Sequence, residues 1–326
     1  RFFYFRQPTT VMTHLKLITT FPDARDARFT WDSHNDQFRH SNVIINARSS
    51  DVSYGEHWGP LSIKCAFGGN EYYRLNNCTY AVNDGSYLVV NAGNYRSSYI
   101  FSKAKVESFT ISFCSSFVGN CLAGELRDND SNLANPFGGE RPGEFHERLY
   151  RFDSKIGGLL YQLKAVLSDL EENSQLIDEY LRMLVAGMIE RQRETNAEAS
   201  SVEAVRPATR MELFRRLTRA KDFIDSCYNM DLTLADIAKV SFLNETYLLR
   251  QFRKFYRVTP RQYQIQKRMA AAKSSLQFAG GTITELCREV GYSDLASFSK
   301  LFKRLYGCSP ELYRARACGF ERADRA

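Results

Sequence analysis

GYSDLASFSKLFKRLYGCSPELYR, residues 291–314, decides how this chain is read. Phe298, Phe302 and Leu305 recur at i, i+4 and i+7, which predicts one inward-facing stripe of a helix. Lys300, Lys303 and Arg304 fall on the other side. Ahead of it, Ile283, Leu286, Cys287 and Val290 give a short helix an apolar face. Gly291 ends that short helix, because a left-handed C-terminal residue is least strained as glycine. Ser293 or Asp294 can N-cap the next helix. Gly307 ends it, and Ser309-Pro310 restarts a third with Pro in the first turn. A single basic amphipathic helix is more often merely solvated than functional, so this stretch alone does not establish a role.

Its earlier copy changes that. TLADIAKVSFLNETYLLRQFRKFYRVTPRQY, 233–263, parallels TITELCREVGYSDLASFSKLFKRLYGCSPELY, 282–313. Thr233 and Ile237 match Thr282 and Leu286 at an offset of 49. Phe252, Pro260 and Tyr263 match Phe302, Pro310 and Tyr313 at 50, so one residue is inserted near the first turn of the second copy. In the first copy Leu234, Ile237 and Ala238 make the short helix and Asn244 caps the next. Leu248, Phe252 and Phe255 face inward, and Thr259-Pro260 restarts. This is helix-turn-helix grammar twice over. In that grammar the second helix enters the DNA major groove. Thr246, Leu249 and Arg250, and Ala296, Ser299 and Lys300, stand near the helix starts and are the expected base readers. Arg250 suits guanine O6/N7, and Lys300 does so less specifically. Arg253, Lys254, Arg257, Lys303 and Arg304 are expected on phosphates.

Charge agrees. The 326 residues carry a net charge of +7, but residues 210–326 hold 22 Lys+Arg against 12 Asp+Glu, and the rest is net acidic. A cationic module joined to an acidic one fits a nucleic-acid binder with a second task. There is no apolar run of membrane-spanning length. The chain opens at Arg1, and RFFYFRQPTT lacks the pattern of a secretory signal, so a cytoplasmic location is expected. Eight cysteines without a CxxC pair fit reduced thiols.

Upstream, EYYRL, CTYAV, SYLVVNAG, SSYIF and SFTISF read as short strands, broken at Asn76-Asn77 and Asn83-Asp84-Gly85. They predict a sandwich or barrel before residue 150. Residues 119–144 read as loop. From about 154 to 193 the period becomes helical, with Ile156, Leu160 and Leu163 on one helix and Ile177, Leu181, Leu184, Val185 and Met188 on a second. The two should pair, leaving the second with apolar surface for a partner chain. Residues 196–209 read as a polar linker. The fold class is α+β in two domains: 1–195, a β-sandwich or barrel with a helical pair, and 210–326, an all-α double helix-turn-helix.

The segment VGYSDLASFSKLFKRLYGCSPELYR, 290–314, resembles the DNA-binding domain of AraC/XylS-family transcription regulators, and the resemblance covers roughly 211–316. It implies a linker helix from Pro260 to Phe278, with Arg268, Ala272 and Leu276 in the family's spacing, and reading helices in successive major grooves. Cys287 replaces the usual alanine, and Leu249 and Leu295 are apolar where polar readers are common. More loosely, YAVNDGSYLVVNAGNYRSSYIF, 80–101, resembles the family's cupin-like sensor domain. That implies a bacterial activator working with RNA polymerase, dimeric through the helix at about 174–193, and controlled by a small-molecule effector. Its aromatic-rich sheet suggests an effector pocket drawn from Trp58, Phe67, Tyr72, Arg74, Tyr87, Tyr95 and Arg96. No histidine has metal-ligand spacing, so no metal, cofactor or catalytic residue is expected. The alternatives are a ligand-independent dimeric regulator, a metal-dependent cupin enzyme with a DNA tether, and a DNA-repair fusion, which would need a zinc-thiolate cluster.

Overall fold

The computed structural model describes residues 14–323 except 25, 94–95, 129–143, 203–205 and 279–280. It divides into two compact units, residues 1–212 and 213–326.

The N-terminal unit is built on one eight-stranded sheet, with main order β1-β2-β7-β3-β6-β8 and a β4–β5 hairpin on β7. The strands are β1 (His14–Ile18), β2 (Ser41–His57), β3 (Leu61–Phe67), β4 (Glu71–Leu75), β5 (Cys78–Val82), β6 (Ser86–Val90), β7 (Arg96–Phe113) and β8 (Leu149–Arg151). SSYIF and SFTISF, read separately from sequence, lie on the single strand β7, because nothing in SKAKVE between them breaks an extended chain. Strand β7 pairs with β4 through residues 96–99 and with β3 through 107–113. Its pairing with the long strand β2 shifts register twice: after Ser49, where residues 102–105 of β7 face a single β2 residue, and after Tyr54, where the extra residue is on β2. Asn76 (φ 48°) and Asn77 (φ 61°) form the expected β4–β5 turn, in the left-handed region that asparagine tolerates.

Alternation on β3 and β7 sets the layers. Leu61, Ile63 and Cys65, with Phe109, Ile111 and Phe113, join the apolar core. Ser62, Lys64, Ser108, Thr110 and Ser112 are equally buried and, by strand alternation, face the other way. Helices α2 (Ser115–Asp128), α3 (Ile156–Ala165) and α4 (Ser174–Ser200) contribute to the apolar core. Close approach of α3 and α4 depends on Gly187, where a Cβ would stand 3.1 Å from Ile156.

Three sequence expectations are corrected. Trp31–His40 is a helix, α1, within the stretch read as β structure; Thr30 caps it by accepting from the Ser33 amide. Residues 119–128 belong to α2 rather than to a loop, and the rest of that stretch to 143 lies outside the described residues. Helix α4 runs to Ser200, five residues into the segment read as linker, because Thr195 and Ala199 are buried, His146 pairs with Asn196 at 2.7 Å, and Arg148 with Glu198 at 3.0 Å. The apolar stripe of α4, Ile177 to Met188, is spent inside its own unit; Leu176 and Met183 remain exposed.

The C-terminal unit is helical: α5 (Pro207–Cys227, its first six residues in the other unit), α6 (Leu234–Ser241), α7 (Glu245–Tyr256), α8 (Pro260–Phe278), α9 (Ile283–Glu289), α10 (Leu295–Tyr306) and α11 (Pro310–Ala323). Met269, Ala272 and Leu276 of α8 share a core with Leu286, Cys287, Val290, Phe298 and Phe302. On its other flank, Tyr263 of α8 meets the Phe252 ring at 6.0 Å and donates to Asp225 of α5 at 2.8 Å. No described helix is long and apolar enough to cross a membrane.

Candidate nucleic-acid interface

Each copy is assembled by the same local devices. Thr233 and Thr282 both form capping boxes, with Asp236 and Glu285. Phe242 (φ 53°) and Gly291 (φ 87°) hold the left-handed position after α6 and in the turn after α9. The amides of Leu243 and Tyr292 reach back to the Ala238 and Cys287 carbonyls. Asn244 caps α7 by accepting from the Tyr247 amide, and Asp294, rather than Ser293, caps α10 by accepting from Ala296 and Ser297. The Ser297 hydroxyl, with those two amides, holds the Asp294 carboxyl below its ordinary range. Ser293 is thus the inserted residue. Gly291 is required for a second reason: a Cβ there would sit 2.3 Å from the Asn229 carbonyl oxygen.

Leu248, Phe252, Phe298 and Phe302 are fully buried and anchor the reading helices. Leu305, expected inward, is instead 48% exposed. Its counterpart Phe255 is covered by Phe214 of α5, ring centroids 5.8 Å apart. Opposite the buried stripes, Thr246, Leu249, Arg250, Ala296 and Lys300 are exposed, and Ser299 is half-buried. Arg250 lies over the Tyr247 ring at 5.4 Å, which holds its guanidinium beside the helix start. Arg253 and Lys254, and Lys303 and Arg304, occupy the last turns of α7 and α10. Arg257 sits at φ 64° where the second copy has Gly307. Among the described residues, no carboxylate holds Arg250, Arg253, Lys300, Lys303 or Arg304.

A feature the sequence only hinted at joins the two copies. Arg268 on α8 donates three hydrogen bonds of 2.7 Å: Nε to the Tyr228 carbonyl, Nη2 to that of Met230 and Nη1 to that of Gly291. Gln264 also donates to the Tyr228 and Met230 carbonyls, at 3.0 and 2.8 Å. The loop before α6 is thereby tied to the turn before α10. Burial pulls the Arg268 pKa below its ordinary value.

The residues suggested for an effector pocket are not brought together. Tyr87 is core, stacked on Tyr150 at 5.3 Å. Phe67 packs on Phe152 and Tyr161 beneath Lys164. Tyr72 stacks on Tyr99 at 4.9 Å, and Arg74 is exposed. Trp58 lines a separate groove of about 450 Å³ with Arg39 and Phe113. Arg96 opens β7, and Tyr95 lies outside the described residues. Strand alternation explains the scatter, because neighbouring aromatics face opposite sides of the sheet. Seven described cysteines are free. No metal-binding group of three or more His, Cys, Asp or Glu occurs among the described residues.

Two capped helix-turn-helix copies with cationic outer faces define the C-terminal unit as a DNA-binding domain. Residues 234–316 match the family model described as a helix-turn-helix domain. The chain is similar to the HTH-type transcriptional regulator YdiP of Escherichia coli, 37% identical over 92 residues, covering 28% of this chain and 30% of that protein. It is similar to the Msm operon regulatory protein of Streptococcus mutans, 36% identical over 98 residues, covering 30% and 35%. The chain thus spans about a third of these relatives' length, and they are named as a transcriptional regulator and an operon regulatory protein. The solved structure of ToxT from Vibrio cholerae is similar at 14% identity over 84% of this chain and 97% of that one, with a TM-score of 0.34.

Proposed function

We propose that the chain is a sequence-specific transcription regulator, an activator acting at promoters with RNA polymerase, and controlled through its N-terminal part. The observation that carries this is the duplication: two reading helices with matching caps, each leaving cations exposed on one side. Thr246, Leu249 and Arg250, with Ala296, Ser299 and Lys300, read bases. Arg253, Lys254, Arg257, Lys303 and Arg304 meet phosphates. Arg257 supports the last assignment, because an L-residue at positive φ costs on the order of 1 kcal/mol that glycine would avoid. The activator role is supported by a relative named as the lactose operon transcription activator of Staphylococcus xylosus.

The N-terminal part through Ser200 acts as a cupin-like sensing and dimerising domain, the residues after it up to 209 as the connection and 210–326 as the reader. Dimerisation uses the outer side of α4, where Leu176 and Met183 are exposed two turns apart. Control is by an effector or by this dimerisation, and the protein works in the cytoplasm beside its DNA. Selection of bound sites from random duplexes, then footprinting, tests the reading. Arg250→Ala should lower specific affinity by about 1–3 kcal/mol and relax preference at one base pair. An equal loss on every sequence would remove Arg250 from the readers.

A further inference from the structure

A cavity of about 60 Å³ lies within the N-terminal unit, in part under the polar face of the sheet. Glu71, the first residue of β4, lines it while only 4% exposed. Its Oε2 has no hydrogen-bond partner among the described residues. Burial raises the Glu71 carboxyl above its ordinary range, against the hydrogen bonds of Tyr73 and Ser108 and the charge of Lys64. An unmet carboxylate oxygen at such depth is costly, and native proteins keep one where something else comes to satisfy it. The cavity wall is aromatic. Trp31 lies flat on the His57 ring, centroids 4.1 Å apart at 4°, and meets Tyr54 edge-on at 5.8 Å. The Tyr54 hydroxyl is fixed by the Pro22 carbonyl at 2.7 Å. Lys64, also buried, places its ammonium 5.5 Å over the Tyr73 ring.

We propose that this cavity binds a free α-amino acid of small size. Its ammonium donates to Glu71 Oε2, its carboxylate faces the Lys64 ammonium, and its side chain lies against Trp31. The inference rests on reading the N-terminal unit as effector-sensing, and it names the effector's chemistry. Four features select this class. A buried carboxylate with an open oxygen favours a charge-assisted donor, and aromatic faces favour a cation beside them. Lys64 repels a simple amine, whereas a zwitterion leaves the cavity's net charge unchanged. The volume admits a few heavy atoms, which excludes nucleotides and long acyl chains.

Calorimetry on the full chain with glycine, L-alanine and L-serine, against ethylamine, propionate and glycerol, tests this. At least one amino acid should bind, with ethylamine and propionate each weaker by about tenfold or more, since each adds a net charge to a buried cavity in which Glu71 and Lys64 balance. Glu71→Gln should abolish the binding. Lys64→Met should keep amine binding but erase the preference for the amino acid over ethylamine, which a variant that merely misfolds would not do. Trp31 emission, read in a Trp58→Phe background, should change on binding. Equal binding of glycerol or propionate, no binder among the amino acids, or unchanged affinity in Glu71→Gln would each overturn the site. Footprinting with the bound amino acid separates the two readings: a ligand held through Glu71 that leaves DNA affinity unmoved supports the site and overturns effector control.

Discussion

Replacing Arg268 with alanine tests how the two reading helices keep their spacing. The side chain makes three hydrogen bonds to main-chain carbonyls and faces Tyr292 at 5.2 Å. The three acceptors are not equally dependent on it. Gln264 still serves the carbonyls of Tyr228 and Met230 after the substitution, so the carbonyl of Gly291 loses most. An unsatisfied buried carbonyl costs about 1–3 kcal/mol. Losing the cation over the Tyr292 ring adds about 0.5–2 kcal/mol. The sum is on the order of 2–4 kcal/mol, below the cost of three charged bonds counted separately, because Gln264 and entering water recover part.

Urea unfolding of the full chain, followed by helical circular dichroism, gives that stability change. The decisive readout is DNA. Duplexes carrying the two half-sites about one helical turn apart are compared with duplexes in which ~3 base pairs are inserted between them. With the clasp intact, the inserted site presents the second helix to the wrong face of the duplex. In Arg268→Ala the ratio of the two affinities should shrink by about tenfold, or ~1.4 kcal/mol. Arg268→Lys should behave like alanine on spacing, since one ammonium cannot reproduce the fork toward both loops. A stability loss under about 0.5 kcal/mol would refute the accounting, as that is within the range of ordinary surface changes. Proportional weakening on every spacing would refute the geometric role.

Two further changes probe other links. Lys303→Ala should flatten the dependence of log affinity on log salt by about one unit without altering base preference; an unchanged slope removes its phosphate contact. Asp225 is buried, which raises its pKa, but Lys221 at 2.8 Å and Lys267 at 2.9 Å outweigh that and hold its carboxyl below the ordinary range. Its contribution to stability is therefore full above about pH 4, the unfolded value, and is lost as pH falls through the lower folded value. Asp225→Asn should remove that part of the acid dependence of urea unfolding, and an identical pH profile in the variant would show that the two Asp225 ion pairs carry none of it.

The reading helices were legible because helix-turn-helix packing writes itself locally. Caps lie two or three residues from the amides they serve, and Phe298 and Phe302 are one turn apart. Comparing the two copies also located the inserted residue near the first turn, and Ser293 occupies it. Local pattern failed where burial depends on a neighbour far away in sequence. Leu305 has the spacing of a core residue, yet its counterpart Phe255 is covered only because α5 brings Phe214 to it. Helix α4 looked half-unpartnered because the stripe that would pair with α3 and the stripe that packs into the sheet core are one and the same, Ile177 to Met188. The N-terminal cavity was hidden for a related reason. Glu71 and Lys64 sit in ordinary strand sequences, EYYRL and LSIKCAF, where a charged residue normally points to water. Both are buried in the folded sheet, where β4 and β3 pair with different lengths of β7, so these charged groups carry no local mark. A helix-turn-helix surface must be solvent-facing and so keeps its periodicity visible, whereas a site enclosed by a sheet is defined by pairings that no window of sequence contains.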